Sequence, residues 1–263
     1  MSTVDFGLRS DDYSHHRPGP PPSFYDRLDA LAPLENARVL DLATGPGTLA
    51  LELAARGSRV VGIDLAPAQI EAARIAARER GLEARAAFEV ARAEETGQPE
   101  GAFDLVTAGQ CWHWFDPDAT LAEVRRILRP GGTLAIVAYS YLAPHSDVAA
   151  ATEELVLRLN PGWTMAGWTG LFPHQIDQII DGGLEFVESF CFDFVEPFSH
   201  ARWRGRMRTC NGVGSGGMPP DEVERFDEAL QALLTARFPE PLRIPHRVWC
   251  VVGRTPNSPS GFR

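Results

Sequence analysis

The residues best suited to chemistry are an aspartate and two glycines in the segment Asp41–Gly47, which reads DLATGPG. An apolar run precedes this segment and a helical pattern follows it, so we expect the chain to turn sharply there. Gly45 and Gly47 would let a ligand approach the backbone closely. Because a carboxylate attracts a cation and repels a phosphate, Asp41 favours a positively charged ligand over a dinucleotide. A cap of the loop is the structural alternative for Asp41.

A second acid, Asp64, ends the next predicted strand. An acid at that place can accept hydrogen bonds from both hydroxyls of a ribose, although it can also cap a helix. Ala93 and Glu94 follow the third predicted strand, where we expect the edge of an adenine ring. The loose G-x-G-x-x-A pattern at Gly45–Ala50 is compatible with NAD as well, so an NAD-dependent oxidoreductase remains an alternative.

An aromatic segment, Trp112–Phe115, follows the fourth predicted strand. Ligands bind at the carboxyl ends of parallel strands, and aromatic faces can stabilise a sulfonium by cation–π attraction. Trp112 and Trp114 are therefore candidate substrate residues, although both rings could instead fill the space between a helix and the sheet. His113 and His145 are candidate general bases, with a structural role as the alternative for each.

Arginine occupies every second position from Arg202 to Arg208. In a helix, Arg204 and Arg208 would form a pair four residues apart, which could clamp a carboxylate through bidentate hydrogen bonds. A solvated charged face is the alternative. Trp168, in a preceding loop rich in glycine and tryptophan, is a further candidate for the lining of a substrate pocket.

Strands alternate with helices from residue 38 to residue 138, a pattern typical of βαβ units and a parallel sheet with helices on both faces. Five strands are predicted over 38–43, 59–64, 86–90, 103–108 and 133–138. Helices are predicted from 23 and over 48–55, 68–80, 118–128, 148–159 and 221–238. Two more strands are predicted over 184–195 and 247–252, separated by a helical insertion.

Four segments of this chain resemble the class I S-adenosylmethionine-dependent methyltransferases, in order and in register over about residues 35–140. They are Val39–Gly47, Val60–Asp64, Phe103–Val106 and Leu128–Gly132. Gln110–Asp116 and Tyr13–Pro18 are similar to a small-molecule subgroup that includes the trans-aconitate-type methyltransferases. The resemblance implies an α/β fold with a Rossmann-like, doubly wound seven-stranded sheet whose last strand is antiparallel, and S-adenosylmethionine as the cofactor.

The resemblance also implies that Tyr13 and Arg17 fold over the cofactor, with Arg17 paired to its carboxylate. Ala93 stands where the family commonly has an acid. The predicted cofactor residues are Tyr13, Arg17, Asp41, Ala43, Gly45, Gly47, Asp64, Leu65, Ala93, Glu94 and Gln110. The predicted substrate residues are Trp112, Trp114, Trp168, Arg204 and Arg208.

Composition limits the partners and the location that we expect. The formal net charge of −10 disfavours a nucleic-acid partner. No apolar run approaches the ~20 residues that span a bilayer, and no signal segment stands at the start. The four cysteines lack metal-ligand spacing, so no metal is predicted. We expect a cytoplasmic protein, a monomer or homodimer, that meets a small-molecule substrate and no membrane.

The predicted organisation is an N-terminal arm and helix over 1–34, a cofactor-binding core over 35–195, a helical lid over 196–245, and a last strand and tail over 246–263. The predicted function is methyl transfer to a small molecule. A carboxylate acceptor would need no base, whereas a hydroxyl, thiol or amine would need one. An NAD-dependent oxidoreductase and a cofactor-binding module without methyl transfer are the alternatives.

Overall fold

The computed structural model describes residues 18–214 and 217–257. Tyr13 and Arg17, predicted to cover the cofactor, lie outside the described residues. The chain divides into two compact units. The larger unit contains residues 19–139, 172–191 and 248–257, and the smaller unit contains residues 18, 140–171, 192–214 and 217–247.

Seven strands form one sheet. Their bounds are β1 (Arg38–Leu42), β2 (Arg59–Asp64), β3 (Ala86–Val90), β4 (Phe103–Gly109), β5 (Leu128–Tyr141), β6 (Glu185–Phe198) and β7 (Leu242–Arg254). The strand order is β3-β2-β1-β4-β5-β7-β6, and the neighbours from β3 to β5 are parallel. The last strand is antiparallel, so the predicted fold class is confirmed.

Eight α-helices accompany these strands in the described part of the chain. They are α1 (Pro22–Leu31), α2 (Thr48–Ala55), α3 (Pro67–Glu79), α4 (Pro117–Ile127), α5 (Asp147–Leu159), α6 (His174–Asp181), α7 (His200–Arg208) and α8 (Pro220–Arg237). Helices α1, α3, α4 and α8 begin with proline, whose fixed φ and missing N–H suit the first helical turn. Helices α7 and α8 form the predicted helical insertion between β6 and β7.

The larger unit builds its core on β1 and β4, which are buried almost throughout. Parallel strands covered on both faces read as continuous apolar runs, and Val39-Leu40 and Leu105-Val106 are such runs. The smaller unit has a core of its own between α5, α7 and α8. There the buried indole of Trp203 donates a hydrogen bond to Thr152 Oγ1 at 3.1 Å.

Two features differ from the sequence-based expectation. Helix α6 was not predicted, because its eight residues place only Gln175 and Ile179 in buried positions. Strands β5 and β7 are longer than predicted, since Pro130-Gly-Gly132 and Pro245 indicate strand ends although both lie inside strands. Strand β6 runs three residues beyond its predicted end, to Phe198. In the described residues, no helix is long and apolar enough to cross a membrane.

Candidate cofactor site

The loop between β1 and α2 has an unusual backbone. Ala43, Gly45 and Gly47 all have positive φ, at 46°, 56° and 83°. A Cβ on Gly47 would lie 3.3 Å from the Cβ of Ala73 and from the side chain of Leu51, so glycine is needed there for space as well as for conformation. The loop thus brings bare backbone to the N-terminus of α2, where N–H groups are available to a ligand.

Asp41 lies beneath this loop and is almost completely buried. Thr44 Oγ1 donates to Oδ2 at 2.7 Å, and Thr107 Oγ1 donates to Oδ1 at 2.6 Å. Burial raises the pKa of Asp41 to about 6, and the nearby Asp64 adds to the rise, while the two threonine hydrogen bonds oppose it. Asp41 therefore fixes the loop through its hydrogen bond to Thr44. Because its pKa lies near 6, its protonation state changes close to neutral pH.

Asp64 connects two loops at the end of β2. Its Oδ2 accepts the backbone N–H of Gly45 at 2.9 Å, and its Oδ1 accepts the N–H of Ala66 at 2.9 Å. Burial raises its pKa, against these backbone hydrogen bonds. Each carboxylate oxygen keeps further lone-pair capacity, which suits ribose hydroxyls. Leu65, the next residue, exposes 60% of its surface and offers an apolar platform beside the carboxylate.

The remaining predicted cofactor residues of the larger unit follow strands β3 and β4. Ala93 is buried, and Glu94 accepts the backbone N–H of Asp116 at 3.4 Å while pairing with Arg92 at 3.2 Å. Gln110 has a φ of 62°, and its side-chain amide donates to the carbonyl of Tyr139. Gln110 therefore joins the ends of β4 and β5.

The aromatic segment forms a single 3₁₀ turn over Trp112–Trp114. Trp112 is buried, and its ring meets Phe115 edge to face at a centroid distance of 5.9 Å. His113 and Trp114 are exposed, with ring centroids 4.7 Å apart. The turn thus places Trp112 in the core and presents His113 and Trp114 outward.

The remaining predicted site residues belong to the smaller unit. His145 is exposed in a 3₁₀ turn after β5, and Trp168 is half-buried. Arg204 and Arg208 both lie on α7 and both pair with Asp227 of α8, Arg204 in bidentate fashion and Arg208 at 2.9 Å. Burial disfavours the charge of Asp227, but the two arginines together lower its pKa. The predicted clamp therefore already holds a carboxylate of the chain itself.

Sequence reasoning missed the two threonines that hold Asp41. Thr44 stands within the glycine-rich motif, and Thr107 is a polar residue inside an otherwise apolar strand. A polar residue at a buried position of a strand indicates a buried hydrogen-bond partner, and Thr107 could have been singled out for that reason. In residues 18–214 and 217–257, no group of three or more His, Cys, Asp or Glu side chains could hold a metal ion.

The chemistry of this site fits S-adenosylmethionine better than a dinucleotide. Two carboxylates, Asp41 and Asp64, come from adjacent parallel strands and flank the glycine loop. The buried carboxylate of Asp41 beneath the loop would repel a diphosphate. An ammonium, a sulfonium and a ribose suit this arrangement.

Comparisons with known proteins agree with the site. Residues 40–136 match the family of methyltransferase domains. A ubiquinone biosynthesis O-methyltransferase of Xanthomonas oryzae is 32% identical over 187 residues, 70% of this chain and 74% of that protein. An uncharacterized methyltransferase of Mycobacterium tuberculosis is 37% identical over 135 residues, 51% of this chain. The chain spans about half the length of this second relative, 52%.

A solved structure assigned to a type II methyltransferase of Anaeromyxobacter dehalogenans superimposes with a TM-score of 0.64 and 26% identity. The superposition covers 93% of this chain and 99% of the solved structure. The chain therefore belongs to the class I S-adenosylmethionine-dependent methyltransferases. Its place in the trans-aconitate-type subgroup stays a prediction.

Proposed function

We propose that this protein binds S-adenosylmethionine in the larger unit and transfers its methyl group to an oxygen atom of a small molecule. The observation that carries the proposal is the pair of carboxylates around the glycine loop. Asp41 supplies negative charge beneath the loop, and Asp64 supplies acceptors for ribose hydroxyls. Family membership favours the same cofactor over NAD.

The cofactor supplies an activated methyl group, and the chain supplies alignment and a site shielded from water. Positioning alone contributes about 7–11 kcal/mol in favourable model systems. Asp64 would orient the ribose, Leu65 and Ala93 would contact the adenine, and Gly45 and Gly47 would admit the rest of the cofactor close to the backbone. Tyr13 and Arg17 stay predicted to cover it.

An oxygen acceptor is supported by the relative from Xanthomonas oryzae, whose name states O-methylation. The engagement of Arg204 and Arg208 with Asp227 removes the specific support for a carboxylate clamp. We therefore propose that hydroxyl compounds be tested beside carboxylates, with His113 and His145 as the candidate bases for a hydroxyl. Trp112, Trp114 and Trp168 remain predicted substrate residues.

Calorimetry with S-adenosylmethionine, S-adenosylhomocysteine and NADH tests the cofactor. We expect both sulfur compounds to bind and NADH not to bind. Replacement Asp64→Ala should weaken S-adenosylhomocysteine binding by about 1–3 kcal/mol, because two hydrogen bonds to a charged group would be lost. Glu83→Ala, which removes an exposed carboxylate from the same unit, should leave the affinity unchanged.

Binding of NADH without either sulfur compound would favour the oxidoreductase alternative. Tight binding of S-adenosylmethionine without methyl transfer to any member of a panel of phenols, alcohols and carboxylic acids would favour the alternative of a binding module. A folded Asp64→Ala variant with full affinity would contradict the ribose role of Asp64.

A further inference from the structure

We propose that Thr107 is a positioning residue for the cofactor site, whose hydroxyl keeps Asp41 ionised and turned toward the glycine loop. This inference rests on the proposed function, because Asp41 is taken to face a cationic cofactor. Thr107 would not touch the cofactor and would act only through the carboxylate of Asp41.

The sheet itself places Thr107 against Asp41. Strands β1 and β4 are parallel neighbours, and Asp41 and Thr107 are partners in their register. Side chains of such partners leave the sheet on the same face. The side chain of Thr107 is fully buried, and its hydroxyl lies 2.6 Å from Asp41 Oδ1. The contact is therefore set by two central strands rather than by a loop.

The two oxygens of Asp41 have separate partners. Thr107 donates to Oδ1, while Thr44 donates to Oδ2 and is itself held by its backbone N–H, which donates to the carbonyl of Ile63 at 2.8 Å. Rotation of the carboxylate would break both hydrogen bonds. The two hydroxyls thus fix the direction of the remaining lone pairs as well as the plane of the group.

The other groups around Asp41 do not favour its charge. Asp64, at the end of β2, repels it, and burial penalises it. Cys111, after β4, and Tyr25, on α1, have pKa values raised by burial, so both are neutral near pH 7. The hydrogen bonds from Thr107 and Thr44 are therefore what favours the ionised form, and Thr107 contributes more than Thr44.

Packing alone does not call for a threonine at this place. The neighbours of Thr107 along β4 are Val106 and Ala108, both fully buried, and valine would have the same shape without a hydroxyl. Thr120 offers the matched control, because it is also fully buried and its Oγ1 has no hydrogen-bond partner among residues 18–214 and 217–257.

The test measures S-adenosylhomocysteine affinity by calorimetry from pH 5 to pH 8.5 for the wild type, Thr107→Val, Thr107→Ser and Thr120→Val. We expect Thr107→Val to lose roughly tenfold in affinity near pH 6.5 and to recover toward wild type at pH 8.5, because loss of one hydrogen bond raises the pKa of Asp41. Serine keeps the hydroxyl and should restore the wild-type profile. Thr120→Val should match the wild type.

A second readout does not depend on the cofactor. The titration of the Asp41 side-chain carbon, followed by NMR in the unliganded protein, should shift to higher pH in Thr107→Val and not in Thr120→Val. An unshifted titration, or an equal loss of affinity at every pH, would overturn the inference. Failure of the wild type to bind either sulfur compound would instead overturn the proposed function, and the NMR titration would still decide the role of Thr107.

Discussion

The indole N–H of Trp112 donates to the side-chain oxygen of Gln178 at 2.9 Å. Gln178 lies on α6, and the same helix supplies Gln175, whose side-chain oxygen accepts the indole N–H of Trp249 at 3.1 Å. One short helix therefore supplies the hydrogen-bond acceptors for the indole N–H groups of two tryptophans in the larger unit. Because Trp112 begins the 3₁₀ turn that carries His113, α6 also contacts the start of that turn.

Replacement of Gln178 by leucine should leave the indole N–H of Trp112 buried without an acceptor. We expect a loss of about 1–3 kcal/mol in the free energy of unfolding, measured by urea denaturation at pH 7. Gln178→Glu keeps an acceptor and should stay close to the wild type. Equal stability of the leucine and glutamate variants would show that the hydrogen bond contributes nothing.

The contrast between α6 and the β1–α2 region shows how far the sequence was informative. Val39, Leu40 and Leu42 are apolar and glycines follow them closely, so the strand and its turn could be predicted from local composition, although Asp41 interrupts the run. Helix α6 uses glutamines at two of the positions that face its tryptophan partners. Ile176 and Ile179 do pack on the core, but eight residues make only about two turns, too few for a helical period to stand out. The tryptophan partners of the two glutamines are distant in sequence, so local composition does not reveal them.

The candidate site likewise has residues that the local sequence locates and contacts that only the packing of distant segments determines. Asp41 and Asp64 could be located because strand ends and glycines mark their places. The partners of Asp41 depend on strand register, and the register between β1 and β4 joins residues 66 positions apart. The pairing of Arg204 with Asp227 depends on how α7 and α8 pack, which periodicity within either helix does not specify.

Replacement of Asp41 by asparagine should stabilise the protein at neutral pH. The pKa of Asp41 is raised from 3.8 to about 6, so the folded state holds this proton more tightly than the unfolded state. The stability from this group is complete below pH 4 and is lost as pH rises through 6, in total about 3 kcal/mol. Asparagine removes this loss, and one threonine hydroxyl can accept a hydrogen bond from its NH2 group while the other donates to its oxygen.

Urea denaturation of both proteins at pH 4.5 and pH 7.5 checks this expectation. The stability advantage of Asp41→Asn over the wild type should be about 2 kcal/mol larger at pH 7.5 than at pH 4.5, because about 1 kcal/mol of the wild-type loss has already occurred by pH 4.5. Its affinity for S-adenosylhomocysteine should fall. Parallel stability profiles for the two proteins would contradict the raised pKa of Asp41.

His246 should make the wild type sensitive to acid. Burial lowers its pKa to about 4, and its ring stacks on Phe198 at a centroid distance of 5.7 Å. The unfolded chain binds the proton at the ordinary value of 6.5, so stability is complete above pH 6.5 and is lost as pH falls through 4. The loss is about 3 kcal/mol.

His246→Phe should therefore lose less stability than the wild type between pH 7 and pH 4. The hydrogen bond between Nδ1 and the carbonyl of Ile244, 2.9 Å long, would also be lost, so a small deficit at pH 7 is expected. His174→Asn, which removes an exposed imidazole, is the control. Thermal unfolding of the wild type and both variants across this pH range measures the effect. If all three proteins lose stability equally as the pH falls, His246 is not held neutral by burial.

Replacement Gly47→Ala should damage both the fold and the cofactor site. The added Cβ would meet Ala73 and Leu51 at 3.3 Å in a backbone conformation that alanine rarely adopts. Gly81→Ala has a similar φ of 64° but no atom within 4 Å of its new Cβ, so it measures the conformational cost alone, about 1–2 kcal/mol. Only Gly47→Ala should also weaken S-adenosylhomocysteine binding. Equal losses of stability with unchanged binding would mean that the loop tolerates the methyl group.

Asp227 joins Arg204 and Arg208 of α7 to α8. Its carboxylate accepts hydrogen bonds from both arginines and is about five-sixths buried, so its removal should leave two partly buried guanidiniums facing each other. We expect Asp227→Asn to cost about 1–3 kcal/mol at pH 7 by urea denaturation. Glu222→Gln, which breaks the exposed pair with Arg225, should cost less than about 0.5 kcal/mol.

The same variant probes the carboxylate clamp directly. If Asp227 occupies the place of a ligand, a small dicarboxylate added in excess should raise the melting temperature of Asp227→Asn more than that of the wild type, because the added carboxylate can replace the one that accepts from Arg204 and Arg208. The wild type should respond little, since its arginines are already paired with a carboxylate. A larger response in the wild type would show that Arg204 and Arg208 bind an external anion despite Asp227. A carboxylate would then again be the favoured methyl acceptor.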